Sequence, residues 1–437
     1  MNKLTVIGGG LAGCEAAYAA ANRGIEVELL EMKPAKKTAA HKSDSLAELV
    51  CSNSLKAARV DSAAGLLKEE MRRRGSVCLA AADRSAVAAG GALAVDRDIF
   101  SRLITEKIKS HPNITVTERL VTEIPQSGVT VIATGPLTDD ALAEKLAGLC
   151  DGGNLSFYDA AAPIVTAESV DMSKAFFASR YDKGGDDYIN CPMNKEEYTA
   201  FYHELINAES APLHGFDKAP NVYEGCMPIE VLAKRGEDSI RFGPLKPVGL
   251  RDPRTGHRPW AAVQLRRENA AATLFNIVGF QTNLKFSEQK RVFSMIPGLE
   301  NAEFMRYGVM HRNTFINSPK MLNRNLSLKA DKNIFIAGQL SGVEGYMESA
   351  ASGIIAGINA AAEITGEKPL VLPETTMTGA LLSYITNPLT ENFQPMGANF
   401  GIIPPLEAHI RDKRERYAAL AARALGILAE NIKTEEI

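Results

Sequence analysis

The first thirty-one residues constrain this chain more than any other stretch. Leu4-Thr5-Val6-Ile7 reads as a short buried strand, Gly8-Gly9-Gly10-Leu11-Ala12-Gly13 as a tight turn, Ala12 to Arg23 as a helix, and Glu26 to Glu31 as a second strand ending on an acid. That order, with glycines spaced Gly-x-Gly-x-x-Gly, is the unit that holds a dinucleotide. Gly8 permits the turn, Gly10 lets a pyrophosphate approach the amides of Leu11 and Ala12, and Gly13 lets the helix lie against the strand. Glu31 stands where a carboxylate accepts hydrogen bonds from a ribose.

Two later segments select FAD rather than nicotinamide as the resident cofactor. Val129 to Gly135 is an apolar strand ending in a small-residue turn, and Asn333 to Gln339 is another, with Gly338 and Gln339 at its end. Gly342, Gly345 and the small-residue helix Ser349-Ala350-Ala351-Ser352-Gly353 follow, and a helix built of such residues can approach a dinucleotide closely. The expected fold is α/β, a Rossmann-type two-dinucleotide-binding flavoprotein with an inserted smaller α+β domain. The FAD-binding domain is discontinuous, 1–163 and 297–437, and 164–296 forms the insert that faces the substrate. Pro192, Pro212, Pro220 and Pro228 punctuate that insert as turns, and Tyr198 to Asn207 suggests a helix inside it. A domain closing over the flavin face would bring Cys226 opposite the glycine turns.

Composition excludes several classes. A chain of 437 residues with 45% hydrophobic and 23% charged side chains can build a large core and has no low-complexity tract. No apolar run approaches a membrane span, and Met1 enters the first strand almost directly, so neither a membrane anchor nor a signal peptide is expected and the location is cytoplasmic. Six cysteines without a Cys-x-x-Cys pair or a Cys/His cluster argue against disulfides, a zinc site and a dithiol reductase. Cys14, Cys78 and Cys150 sit in helical or small-apolar surroundings and read as buried packing residues, and Cys191 is undecided. Cys51, in Val50-Cys51-Ser52-Asn53-Ser54, and Cys226, in Glu224-Gly225-Cys226-Met227-Pro228, lie in loop-forming sequence, which fits a reactive thiol or a structural one.

A net charge of -3 gives no general attraction for nucleic acid, so any such contact must come from a local patch. Arg241 to Arg267 contains Lys246, Arg251, Arg254, His257, Arg258 and Arg266 around Trp260, the sole tryptophan. Phosphate contacts with one stacking ring, or a solvated loop over a buried tryptophan, both fit this composition. Arg411 to Arg416 alternates in sign and reads as a salt-bridged helix face, while Arg72-Arg73-Arg74 fits either purpose.

Five segments together carry a family resemblance: Gly8 to Glu15, Leu49-Val50-Cys51-Ser52-Asn53-Ser54, Tyr223 to Pro228, Ala337-Gly338-Gln339-Leu340-Ser341-Gly342-Val343-Glu344-Gly345-Tyr346, and Met396-Gly397-Ala398-Asn399-Phe400-Gly401. Over nearly its whole length the chain resembles the folate- and FAD-dependent tRNA (uracil-5-)-methyltransferases. It is also similar to the larger GidA-type flavoproteins that modify wobble uridine, but those carry a long C-terminal helical domain, where this chain has one helical stretch around Leu406 to Asn431. The resemblance implies a carbon donor, 5,10-methylenetetrahydrofolate, whose methylene group reduced FAD captures, delivers to carbon 5 of the T-loop uridine of tRNA and reduces to methyl, with NAD(P)H reloading the flavin.

Carbon 5 of uracil is a poor nucleophile, and a thiolate adding at carbon 6 pushes electron density onto it. The resemblance implies that Cys51 and Cys226 share this chemistry, Cys51 being favoured on the RNA, with Lys56 and Arg59 close enough in sequence to supply positive charge. It further implies His311 against the pterin, with Arg312 and Tyr346 as neighbouring folate contacts. Two other readings stay open: a shortened wobble-uridine-modifying flavoprotein, and a non-catalytic flavin-bearing RNA-binding protein.

Overall fold

Five strands form an all-parallel sheet in the order Ile334–Ile336, Val129–Ile132, Lys3–Ile7, Glu26–Glu31, Ile114–Glu118. The computed structural model describes residues 3–435 apart from 39, 149–154, 183–184, 212–226 and 391–392. Ile334–Ile336 and Val129–Ile132 are buried throughout and Lys3–Ile7 nearly so, while Glu26–Glu31 and Ile114–Glu118, toward the other edge, mix apolar with charged and polar residues. Register aligns Ile7 with Ile132 and Ile132 with Ile336. Three strand ends therefore stop at one level, and the chain leaves them through Gly8, Ala133 and Ala337 on the edge where open α/β sheets bind ligands.

The Leu11–Ala21 and Tyr346–Thr365 helices pack side by side across this sheet. A Cβ on Gly353 would lie 2.2 Å from the Ala12 carbonyl oxygen, and one on Gly357 would lie 2.3 Å from that of Ala16. Residues four apart share a helix face, so two glycines on one helix receive two alanines of the other and the backbones close to contact. Glu15, on the same first helix, is buried and accepts hydrogen bonds from the Ser76 hydroxyl, Val77 N–H at 3.2 Å and Cys78 N–H at 3.0 Å. It thereby satisfies the open end of the Val77–Arg84 helix.

A second hydrophobic core draws on residues from Val165 to Phe304. It backs an antiparallel sheet ordered Phe176–Phe177, Tyr188–Met193, Ala261–Arg267, Leu274–Ile277, Ile164–Thr166, Phe304–Arg306. The helix expected over Tyr198 to Asn207 runs Lys195–Asn207 and begins one turn earlier because Asn194 and Glu197 form a reciprocal capping box. Its last sheet strand lies at Phe304–Arg306, beyond residue 296, because that segment pairs with Ile164–Thr166. A two-stranded ribbon, Leu155–Ala160 against Met310–Phe315, joins the two regions.

The C-terminal helix spans Lys413–Glu435, and residues 406–412, where a helix was also expected, are not helical. Among the described residues no helix is long and apolar enough to cross a membrane. Cys14, Cys78 and Cys191 are fully buried, as packing residues are, and burial pushes each thiol up, that of Cys191 to about 12. Cys150 lies outside the described residues.

Candidate active site

Two openings flank the chain reversal at residues 133–137. The first, about 620 Å³, is lined by Gly8, Gly9, Gly10, Glu31, Lys33, His41, Arg119 and Thr134. Its geometry is that of a dinucleotide cradle. Gly8 has φ +100° and a Cβ there would meet the Ala133 oxygen at 2.6 Å, while a Cβ on Gly13 would sit 1.8 Å from the Gly8 oxygen. Gly10, the residue that opens the helix, has nothing within 4 Å of where its Cβ would be. The turn is thus closed toward the protein and open toward the cavity at the helix N-terminus, where a pyrophosphate is stabilised. Glu31 is buried and accepts from Gly9 N–H at 2.6 Å and Lys33 N–H at 3.0 Å, which fixes the carboxylate at the cavity edge with lone pairs to spare for ribose hydroxyls. Gly338, also at positive φ (+76°), approaches Ala12, and its N–H is held by the Ser352 hydroxyl at 2.8 Å. These residues fit FAD, with Glu31, Gly8–Gly13 and Gly338 placed to hold it.

The second opening, about 730 Å³, is lined by Cys51, Ser52, Lys56, Pro136, Gln339, Tyr346 and Glu348 among others. Cys51 is half-buried in an irregular loop, and side chains from elsewhere hold several of that loop's polar groups. The Tyr346 hydroxyl accepts from Cys51 N–H at 2.7 Å and Ser52 N–H at 3.2 Å. Arg97 donates to the carbonyls of Leu49 at 2.6 Å and Cys51 at 3.2 Å, and Arg306 donates to that of Val50 at 2.5 Å. Arg266 donates to Asn53 Oδ1 and Ser52 Oγ, both at 3.0 Å, and the Asn53 amide donates to the carbonyls of Val95 and Arg267. Buried Glu268 pairs with Arg97. Desolvation pulls the pKa of Arg266 and Arg306 down and that of Glu268 up. Guanidinium groups start high enough to remain charged.

The charge near Cys51 therefore differs in origin from the sequence-based expectation. Lys56 does line the same opening, but its ammonium is bonded to Glu348 at 2.6 Å, and Arg59 is paired with Asp61 at the surface. The signal for Arg97, Arg266 and Arg306 is absent from local sequence, since they arrive from positions 46 to 255 residues away along the chain. Burial pushes the Tyr346 phenol up, so it stays protonated and retains oxygen lone pairs for the two amides. Glu348 is buried at the same opening and also accepts from Ala398 N–H at 3.0 Å, which seats the Met396–Gly401 segment there.

His311 and Arg312 lie on the ribbon strand, opposite Asp159 and Tyr158, and their side chains are outside the described residues. Two residues on, Thr314 N–H donates to the Pro136 carbonyl at 2.9 Å, so the strand runs beside a residue that lines the Cys51 opening. Cys226 falls outside the described residues. Of the basic segment, Arg266 is buried under the Cys51 loop, Arg241 lies 3.7 Å from the Trp260 ring centroid, and Arg254 pairs with Asp252 at 2.8 Å. Arg251, His257 and Arg258 are exposed. Arg72 and Arg73 pair with Asp83 and Glu69, and Arg414 with Asp61.

Residues 3–368 match the family model described as glucose inhibited division protein A. The chain is 57% identical over 436 residues to a Lactobacillus gasseri protein named methylenetetrahydrofolate--tRNA-(uracil-5-)-methyltransferase TrmFO, covering 100% of this chain and 99% of that one. A protein of the same name from Acetivibrio thermocellus is 58% identical over 429 residues, covering 98% of each. Among solved structures, Aquifex aeolicus GidA superposes with a TM-score of 0.70 at 18% identity, covering 98% of this chain and 75% of GidA, which supports the fold.

Proposed function

The chain belongs to the methylenetetrahydrofolate--tRNA-(uracil-5-)-methyltransferase family, and from that premise we propose that it methylates carbon 5 of the T-loop uridine of tRNA, taking the carbon from 5,10-methylenetetrahydrofolate and electrons from NAD(P)H. FAD, which Glu31, the Gly8–Gly13 turn and Gly338 would hold, would supply the redox and one-carbon-carrying chemistry between these two donors and the base. The single observation that carries the reading is the half-buried Cys51 thiol in one opening with Gln339 and Tyr346, on the other side of a short turn from the dinucleotide cradle. A thiol in that position can add to carbon 6 of a uracil and raise the electron density at carbon 5. Gln339 donates to Glu344 at 2.8 Å, which fixes its amide in the opening that both residues line. The substrate-facing domain, 164–296, would close over this opening and bring Cys226 to the base as the second thiol. His311, Arg312 and the ring of Tyr346 would border the folate. An enzyme of this class works on cytoplasmic tRNA.

The test is reconstitution with unmodified tRNA, NADPH and methylenetetrahydrofolate, followed by nucleoside analysis. Ribothymidine in the T-loop is the expected product. A new wobble nucleoside would assign the chain to the other enzyme class, and no new nucleoside would leave a flavin-bearing RNA-binding protein.

A further inference from the structure

Resting on that reading, we propose that Arg266, with Arg97 and Arg306, forms a buried guanidinium cradle whose task in the reaction is to position the Cys51 thiol, and that the second core completes the nucleophile's loop across the seam between the two cores. The loop from Leu49 to Asn53 has no helix of its own, and its backbone joins a strand only where the Asn53 carbonyl accepts Val95 N–H. Such a loop keeps one geometry only if other groups hold its polar atoms. Arg97, at the start of the Arg97–Lys109 helix, belongs to the dinucleotide side and holds two carbonyls. Arg266 and Arg306 stand on the Ala261–Arg267 and Phe304–Arg306 strands of the other sheet and hold Asn53 Oδ1, Ser52 Oγ and the Val50 carbonyl. The Cys51 loop is thereby the shared ligand of both bodies.

Burial makes the arrangement costly unless it is used. Arg266 is 7% exposed and Glu268 5%, and taking such groups out of water is repaid only by complete pairing. Among the described residues the cradle sets one carboxylate, Glu268, against three guanidinium groups, with Tyr346 reaching the loop from its helix, Tyr188 opposite Arg266 in the sheet, and the Lys56–Glu348 pair lining the opening. The excess is positive and faces the loop that bears the thiol.

The contacts differ in kind, which makes the cradle testable. Arg266 makes two directed bonds, to Asn53 Oδ1 and Ser52 Oγ, which a lysine cannot reproduce. Arg306 makes one described bond, to the Val50 carbonyl, which a lysine can reach. R266A, R266K, R306A, R306K and S52A should be prepared with FAD bound, and two quantities read: kcat against KM for tRNA, and the rate at which iodoacetamide alkylates Cys51, followed on its own peptide. R266A and R266K should each lower kcat about 10-fold or more with KM for tRNA changed less than about threefold, and shift Cys51 alkylation severalfold. R306K should lose clearly less than R306A, and S52A should fall between wild type and R266A. If R266K, with its FAD retained, matches wild type in both kcat and Cys51 alkylation, the cradle is only a structural ion cluster. If R266A does not fold, R266K and S52A decide by the same criteria. Should the wild-type protein make no ribothymidine, the proposed reaction fails, while the alkylation rates still judge the cradle.

Discussion

The phenolic oxygen of Tyr346 lies 2.7 Å from the amide nitrogen of Cys51, joining the first turn of the Tyr346–Thr365 helix to a loop 295 residues earlier in the chain. The same oxygen accepts from Ser52, so one side chain fixes two successive peptide units beside the thiol.

Tyr346→Phe tests that tie. It keeps the ring and removes the acceptor, leaving two amide groups to find other partners at a cost of about 1 to 3 kcal/mol each where they stay buried. The expected result is full FAD content, kcat lowered about 10- to 100-fold and an unchanged KM for methylenetetrahydrofolate. A raised folate KM with normal kcat would instead give the hydroxyl, and not only the ring, to the folate.

Glu31→Gln should weaken FAD binding. Gly9 N–H and Lys33 N–H each meet a different oxygen of the carboxylate, and an amide can offer only one oxygen. We expect FAD affinity to fall about 10- to 100-fold, read as flavin released on dilution, from the loss of charge-assisted hydrogen bonds of about 1.5 to 3 kcal/mol. Unchanged retention of flavin would remove Glu31 from the site.

Gly353→Ala should destabilise the protein and Gly426→Ala should not. The first adds a methyl 2.2 Å from the Ala12 oxygen, between two packed helices, at a cost of about 1 to 3 kcal/mol or more. The second falls on the exposed face of the Lys413–Glu435 helix with nothing within 4 Å, where alanine gains up to about 1 kcal/mol over glycine. Thermal unfolding of both variants checks the pair.

Glu15 makes stability depend on pH. Burial holds its carboxyl up at about 7 against an ordinary 4.5, so the unfolded chain gives up this proton first. The contribution is fully present below about 4.5 and is lost as pH rises through 7, on the order of 3 kcal/mol in all. The stability difference between wild type and Glu15→Gln should therefore move by about 2 to 3 kcal/mol against wild type between pH 5 and pH 8, measured by urea unfolding. A difference independent of pH would contradict this origin.

The dinucleotide half of this molecule was legible because its chemistry is local. Gly8, Gly10 and Gly13 act within one turn, Glu31 returns to that turn one strand later, and the strand ends at Ile132 and Ile336 announce themselves by the small residues that follow. From its residues alone the Cys51 loop was legible as a loop whose thiol is reactive or structural, and its role came from the family resemblance. Its holders, Arg97, Arg266, Arg306 and Tyr346, come from four distant elements, and nothing in the sequence around Arg266 separates a buried cradle residue from the exposed Arg258 eight positions earlier. The reach of the second sheet was not legible for a related reason, since Phe304–Arg306 joins by pairing with Ile164–Thr166 and not by any pattern of its own.

The central claim is that the Cys51 sulfur adds to the pyrimidine, and the most direct measurement is the mass of the Cys51 peptide after the FAD-loaded protein, supplied with NADPH and methylenetetrahydrofolate, meets tRNA carrying fluorine at carbon 5 of the T-loop uracil. Once carbon 5 has received the carbon unit it holds no proton to lose and fluorine cannot leave in its place, so the sulfur–carbon bond should persist through digestion and put the nucleotide on the peptide that contains Cys51. A nucleotide found only on the Cys226 peptide, or on neither, would contradict the account.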